Sequence, residues 1–126
     1  MKLFKAGVRP DIGPMRFRSS WEANYARYLN LLLKIGAIEK WEFEPQCFWF
    51  HGIRRGTVSY LPDFRIWYKN DLRPEYHEIK GRVLPKDKTK WRRMAKYYPT
   101  VRMVVIGAKE YASIKAKWAS AIPGWE

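Results

Sequence analysis

The chain has 126 residues, enough for one folded domain with a single core but too few for two. Hydrophobic residues make up 47% of it, which argues against a disordered chain, and no stretch approaches the ~18 apolar residues of a membrane span. Lysine and arginine number 25 against 12 acidic residues, and the net charge of +13 predicts binding to a polyanion, most commonly a nucleic acid. The single Cys47 excludes an internal disulfide and a Cys-rich zinc site, and the first residues lack the apolar run of a signal peptide, so we expect a cytoplasmic protein without a membrane partner.

Residues 1–18 are predicted to form an extended basic arm, because Pro10, Gly13 and Pro14 oppose a helix there. The arm carries five basic side chains, Lys2, Lys5, Arg9, Arg16 and Arg18. Two interpretations stay open: a flexible terminus, or a segment that binds phosphate or exchanges between two copies of the chain. The folded domain is expected to occupy residues 19–126.

A helix is predicted from residue 19 or 20 to about residue 35, because apolar side chains recur there at helical spacing. Ser19 and Glu22 form the S-x-x-E pattern of a capping box, in which Glu22 simply bonds back to the start of the helix. At ~100° per residue, Glu22 nevertheless falls within the apolar face, between Leu29 and Leu33. Its carboxylate is therefore also expected to point towards a sheet.

After this helix, four strands, a helix, a fifth strand and a last helix are predicted. Strands are predicted at residues 40–44, 46–51, 58–68, 75–80 and 102–106, and further helices at about 86–98 and 109–119. The order α-β-β-β-β-α-β-α indicates an α/β protein (α+β, with a mixed sheet), in which the helix after residue 80 provides the crossover for the last strand to join in parallel. Cys47 is expected in the core.

The strands at 58–68 and 75–80 are predicted to form an antiparallel hairpin. If its turn centres between Asn70 and Asp71, residues whose numbers sum to 70 + 71 = 141 lie opposite one another, unless a bulge intervenes. Asp63 then faces Glu78 across the hairpin.

Glu78 and Lys80 share one face of the predicted strand, because side chains at i and i+2 project together, and His77 lies on the other face. Two carboxylates beside a lysine suit a divalent cation and the phosphate that it polarises. Each acid also has an ordinary interpretation, Asp63 as a turn residue and Glu78 as an outward strand residue.

Other polar residues are weaker candidates. Glu42 and Glu44 alternate with aromatic residues, which favours a solvent-facing strand edge over a metal site. His51 and His77 are far apart in sequence, so zinc or general-base roles are not favoured.

Basic side chains at three places are predicted to contact a phosphate backbone, although a solvated lysine face is the alternative for the helix at 86–98. These side chains are Arg16, Arg18, Arg54, Arg55, Lys86, Lys88, Lys90, Arg92, Arg93 and Lys96.

Pro62-Asp63 followed by Glu78-Ile79-Lys80 resembles the signature of the PD-(D/E)XK nuclease superfamily, with Glu22 as the acid of the preceding helix. The element order from residue 19 to residue 106 resembles the restriction-endonuclease-like core of that superfamily, a central mixed sheet flanked by helices. A small basic chain of this kind is most similar to phage-type endonucleases, including phage Holliday junction resolvases and transposon endonucleases of the TnsA type.

The resemblance implies that Asp63, Glu78, the backbone carbonyl of Ile79 and Glu22 bind Mg²⁺ or Mn²⁺. Lys80 would orient the attacking water or stabilise charge on the phosphate. The implied activity is metal-dependent hydrolysis of DNA phosphodiester bonds, in the cytoplasm of a bacterial host if the chain is phage-encoded.

No helix-turn-helix or zinc module is present to recognise base edges, which favours selection of DNA structure, such as a branched duplex or Holliday junction. A resolvase cuts two strands symmetrically, so a homodimer is expected. Two alternatives stay open: a non-catalytic basic nucleic-acid-binding domain, and a sequence- or end-directed nuclease of the same superfamily.

Overall fold

Eight strands and three helices make up the computed structural model, which describes residues 6–126. In chain order they are β1 (Gly7–Arg9), β2 (Gly13–Phe17), α1 (Ser20–Lys34), β3 (Ile38–Phe43), β4 (Phe48–Trp49), β5 (Ser59–Tyr60), β6 (Phe64–Tyr68), β7 (Glu75–Ile79), α2 (Pro85–Tyr97), β8 (Arg102–Ile106) and α3 (Ala108–Trp118), followed by a 3₁₀ turn at Ala119–Ala121. Within this part of the chain no helix is long and apolar enough to cross a membrane.

The central sheet has four strands in the order β3-β6-β7-β8. The first three are antiparallel to their neighbours, and β8 joins β7 in parallel after the α2 crossover. The predicted mixed sheet flanked by helices is therefore confirmed. The predicted hairpin register is also confirmed, because Phe64 pairs with His77 and Ile66 with Glu75.

The predicted strand at 58–68 is interrupted at residues 61–63, where Pro62 offers no backbone N–H to a sheet. Its first part, β5, pairs with β4 in a separate two-stranded ribbon, so the predicted strand at 46–51 does not enter the central sheet. In this ribbon Phe48 and Phe50 are buried. Cys47 is exposed, so the prediction of a core position for it is wrong. Side chains alternate along a strand, and the inward positions belong to the phenylalanines.

The prediction of an extended N-terminal arm is wrong for residues 7–17, which form the antiparallel hairpin β1–β2. Gly13 has φ of +135°, a conformation that lets the backbone reverse after Pro10. Phe17 at its end is 1% exposed and enters the core, and Arg9 is 6% exposed. The predicted basic residues Lys2 and Lys5 lie outside the described residues.

A group of charges, the terminal clasp of Arg9, Asp11, Arg27 and Glu126, joins the hairpin to α1 and to Glu126. The two arginines are buried, Glu126 is partly buried and Asp11 is exposed. Arg27 donates to Asp11 at 2.8 and 3.0 Å and to Glu126 at 3.0 Å. Arg9 donates to Glu126 at 2.5 Å. Hydrogen bonding from Arg9, with further help from Arg27, lowers the pKa of Glu126 to about 2. The clasp holds the middle of α1 against the N-terminal hairpin and Glu126.

Two clusters of buried side chains lie on opposite faces of the central sheet. The first contains Ile79 of β7 with residues of α1 and α3, and the second contains Tyr76 of β7 with Met94 of α2 and the ribbon β4–β5. Residues 76 and 79 are three positions apart on one strand, so they point to opposite faces. The second cluster therefore fixes α2 and the ribbon together on the face to which Glu78 points.

Candidate functional site

The candidate site lies at the end of the central sheet where β6 begins and β7 ends. Asp63 directly precedes β6, Glu78 is the fourth residue of β7, and Lys80 directly follows that strand. Glu22 enters from the first turn of α1. All three carboxylates are buried, with exposed fractions of 2% for Asp63, 6% for Glu22 and 7% for Glu78.

Asp63 is held by backbone N–H groups from both neighbouring strands, at the end of β7 and just after β3. Its Oδ2 accepts a hydrogen bond from the N–H of Ile79 at 2.8 Å, and its carbonyl accepts one from Glu44 at 2.7 Å. The interruption of the strand at Pro62 leaves Asp63 as the residue directly before β6. Its side chain is consequently held at the end of β7, beside Glu78.

Glu78 has a buried carboxylate oxygen, Oε1, in the neighbourhood of the buried hydroxyl of Tyr60. Neither atom makes a regular hydrogen bond within residues 6–126. The phenol lies close enough to lower the pKa of Glu78, although burial raises that pKa by more. Because the interaction with the phenol falls short of a regular hydrogen bond, this buried oxygen can still accept a ligand from outside the protein.

Glu22 takes part in capping α1 and also lies on the buried face of that helix, as its sequence pattern predicts. Its N–H donates to Ser19 Oγ at 3.2 Å, as in a capping box, and its Oε1 accepts from the N–H of Arg18 at 3.0 Å. The side chain is buried on the inner face of α1, as the helical wheel predicts. Capping and burial at the site therefore coexist.

The three carboxylates act on one another electrostatically. Burial raises the pKa of each, and the charges of Glu78 and Glu22 raise the pKa of Asp63 further, well above its ordinary value of 3.8. Lys80 has the opposite effect and lowers the pKa values of Glu22 and Glu78. Holding all three acids ionised is therefore costly unless a further positive charge is present.

The charge on Asp63 should make the protein less stable near neutral pH. Because its folded pKa is raised, its contribution to the free energy of unfolding is fully present below pH 3.8 and is lost as the pH rises through the folded pKa. Without divalent cations, we expect Asp63→Asn to be more stable than the wild type near neutral pH, and the difference to shrink towards about pH 4. Urea unfolding of both proteins over this pH range, in the presence of EDTA, measures the effect.

Asp71→Asn is the matched control, because Asp71 lies in a turn and its pKa is lowered by hydrogen bonds from the Arg73 N–H and Arg102. That substitution should lower stability near neutral pH. An Asp63→Asn protein less stable than the wild type under the same conditions would show that the Asp63 charge is not costly.

Lys80 pairs with an acid that the sequence analysis did not consider. Its Nζ lies 3.2 Å from Oδ1 of Asp87, which is fully buried in the first turn of α2. The sequence signal was the position of Asp87, two residues after Pro85 at the start of a predicted helix, where an acid commonly caps the backbone.

Glu44, which was predicted on a solvent-facing strand edge, is a second charged residue close to the site. It lies just beyond the edge strand β3 with φ of +45°, and its Oε2 is 2.5 Å from Arg18 Nη2. Its charge raises the pKa of Glu22. Arg18 also approaches Asp63, at 3.7 Å, while its own side chain is 62% exposed. An arginine accessible to solvent therefore lies beside the buried acids.

The predicted phosphate contacts lie at three places: at and just after the end of β2, in the turn between β4 and β5, and on α2. Eight of the ten are exposed: Arg16, Arg18, Arg54, Arg55, Lys86, Lys88, Arg92 and Lys96. Lys90 is half-buried and lowers the pKa of Glu78, so the electrostatic influence of α2 extends to the site. Arg93 is also half-buried and donates to the carbonyl of Thr57, which ties α2 to the ribbon.

A metal at this site would have oxygen ligands. No three acidic, histidine or cysteine side chains among residues 6–126 converge closely enough to hold an ion between them. Asp63 and Glu78 still fit a hard cation, because both are carboxylates and Glu78 Oε1 makes no regular hydrogen bond within residues 6–126. At least one of the carboxylates of Glu22, Asp63 and Glu78 would have to shift for all three to bind one ion.

A family model described as a protein of unknown function (DUF1064) matches residues 8–118. The chain belongs to this family. The DUF1064 match includes Glu22, Asp63, Glu78 and Lys80, together with Asp87. No curated protein and no solved structure matches the chain significantly. The description of the family states no activity, so the functional argument depends on the site.

Proposed function

We propose that the protein is a metal-dependent endonuclease that hydrolyses phosphodiester bonds in DNA. The observation that carries this proposal is the burial of three mutually repelling carboxylates beside a lysine. A protein that only binds a polyanion gains nothing from placing carboxylates at its basic surface. The resemblance of Pro62-Asp63 and Glu78-Ile79-Lys80 to the PD-(D/E)XK signature supports the same reaction.

Asp63 and Glu78 would hold Mg²⁺ or Mn²⁺, with the Ile79 carbonyl and Glu22 as further ligands. The ion would supply hydroxide near neutral pH and offset negative charge on the phosphate. The Ile79 N–H holds the Asp63 carboxylate in place for this role. Lys80 would bind a phosphate oxygen or the attacking water with its ammonium group.

The DNA backbone would approach along the exposed basic side chains of α2 and the ribbon turn. These contacts recognise phosphate and carry no base sequence, so we propose selection of branched DNA by shape. Two symmetric cuts in a four-way junction require two active sites, for which a homodimer is the simplest arrangement.

A non-catalytic nucleic-acid-binding domain is the second candidate. Two observations favour it: Arg18 already neutralises Glu44 and approaches Asp63, and no three ligands converge within the described part of the chain. A nuclease directed to DNA ends or to a sequence is a variant of the first proposal.

Incubation with plasmid, linear duplex and synthetic four-way junctions tests the proposal. We expect cleavage with Mg²⁺ or Mn²⁺, none with EDTA, and faster cleavage of the junction than of linear duplex. Binding without cleavage of any substrate under either cation would contradict the nuclease and support the binding domain. Equal rates on junction and duplex would contradict the selection of branched DNA by shape and leave the nuclease proposal intact.

A further inference from the structure

Asp87 is a buried carboxylate with a fixed position. Its Oδ2 accepts a hydrogen bond from the Leu84 N–H at 2.8 Å, which closes the first turn of α2. The residue is 0% exposed, and hydrogen bonding to Leu84 together with Lys80 lowers its pKa despite the opposing effect of burial. It is therefore ionised near neutral pH, and a buried charge of this kind requires a cation nearby.

The cation is Lys80. Its Nζ lies 3.2 Å from Asp87 Oδ1, and this is the ion pair that Asp87 makes among the described residues. Oδ1 is buried and makes no hydrogen bond of regular geometry there, so its contact with Lys80 is an ion pair. The requirement of Asp87 for a partner therefore restricts the ammonium group to one side of the carboxylate.

A lysine side chain without such a contact samples many rotamers along its four-carbon stem. The side chain of Lys80 is 26% exposed, so part of it stays accessible while the ammonium is paired. An ammonium group has three N–H donors, and contact with one carboxylate oxygen leaves others for a phosphate or a water.

We propose that Asp87 is a positioning residue that holds the Lys80 ammonium beside Glu78 and Glu22, ready for a phosphate oxygen. This inference rests on the proposed function. Asp87 belongs to α2, which carries the basic side chains proposed to bind the DNA backbone. The helix that is proposed to bind DNA would thereby also set the position of Lys80.

Asp87→Asn tests the proposal, because the amide oxygen still accepts from Leu84 while the charge that holds Lys80 is lost. Glu110→Gln is the matched control: Glu110 caps Gly107 at 2.9 Å in the same way at the start of α3, and it makes no ion pair with any lysine in the described residues.

The first measurement does not require nuclease activity. Site-resolved mass spectrometry after brief treatment with acetic anhydride reports the reactivity of each lysine. We expect acetylation of Lys80 to rise about two- to fivefold in Asp87→Asn, as for the loss of a partly buried ion pair, and to be unchanged in Glu110→Gln. Unchanged Lys80 reactivity in a folded Asp87→Asn protein would overturn the proposal.

The wild type provides a second measurement should Asp87→Asn fail to fold. Lys80 should react more slowly than exposed Lys86 and Lys88 on the neighbouring turn. Reaction of Lys80 as fast as those two would show that the pair does not form.

Cleavage kinetics then separate positioning from stability. In Asp87→Asn we expect kcat to fall about 10- to 100-fold while KM stays within about twofold, since misplacement affects the chemical step and the basic surface is intact. An unchanged kcat would overturn the positioning role. If the wild type cleaves nothing but Lys80 becomes reactive in Asp87→Asn, the nuclease proposal fails and the ion pair stands without a catalytic purpose.

Discussion

Asp63→Asn is expected to lower kcat for DNA cleavage by about 10³-fold or more, while the Kd for DNA changes by no more than about twofold. Asparagine is isosteric and keeps the hydrogen bond from Ile79, so the fold around the site should persist. The lost charge removes a ligand for the cation. Affinity persists because it comes from basic side chains outside the acid cluster.

Single-turnover cleavage assays and fluorescence anisotropy, both with Mg²⁺, separate these effects. Lys80→Ala should lower kcat similarly and leave binding close to the wild-type value. Asp71→Asn provides the charge-matched control in an exposed turn and should cleave at the wild-type rate. If Asp63→Asn cleaves normally, the proposed metal site is wrong. If it also loses DNA binding, Asp63 has a structural role.

Arg27→Ala is expected to lower the free energy of unfolding by about 1–3 kcal/mol, because it removes a buried guanidinium and its hydrogen bonds, although the acidic partners Asp11 and Glu126 are partly exposed to water. The substitution removes two hydrogen bonds to Asp11, one to Glu126 and one to Asn24. Urea unfolding monitored by tryptophan fluorescence measures the loss.

Lys34→Ala is the control on the same helix, since Lys34 is exposed and makes no ion pair in residues 6–126. It should change stability by less than about 0.5 kcal/mol. Equal effects of the two substitutions would show that the terminal clasp contributes little to stability.

Local patterns in the sequence predicted much of the central sheet and part of the site. The register that places residue 63 opposite residue 78 follows from the turn position alone, and the helical wheel correctly places Glu22 on the buried face. Both predictions depend on periodicity within one element or one hairpin, where backbone geometry fixes the directions of the side chains.

Such local patterns do not predict contacts between segments that are distant in sequence. The docking of the N-terminal hairpin depends on Glu126, 117 residues from Arg9. The role of Glu44 depends on Arg18, which is 26 residues away. The separate ribbon arises because β4 pairs with β5 instead of β3 or β6, a choice that alternation of apolar residues does not specify.

The position of β3 has a consequence for aggregation. Among the described residues β3 pairs only with β6, so its other side presents unpaired backbone groups. An open strand edge of this kind can recruit a strand from another molecule and start a fibril. β3 carries Glu39, Lys40 and Glu42, and a stacked copy in register would bring identical charges together. These charges oppose the addition of further strands at this edge.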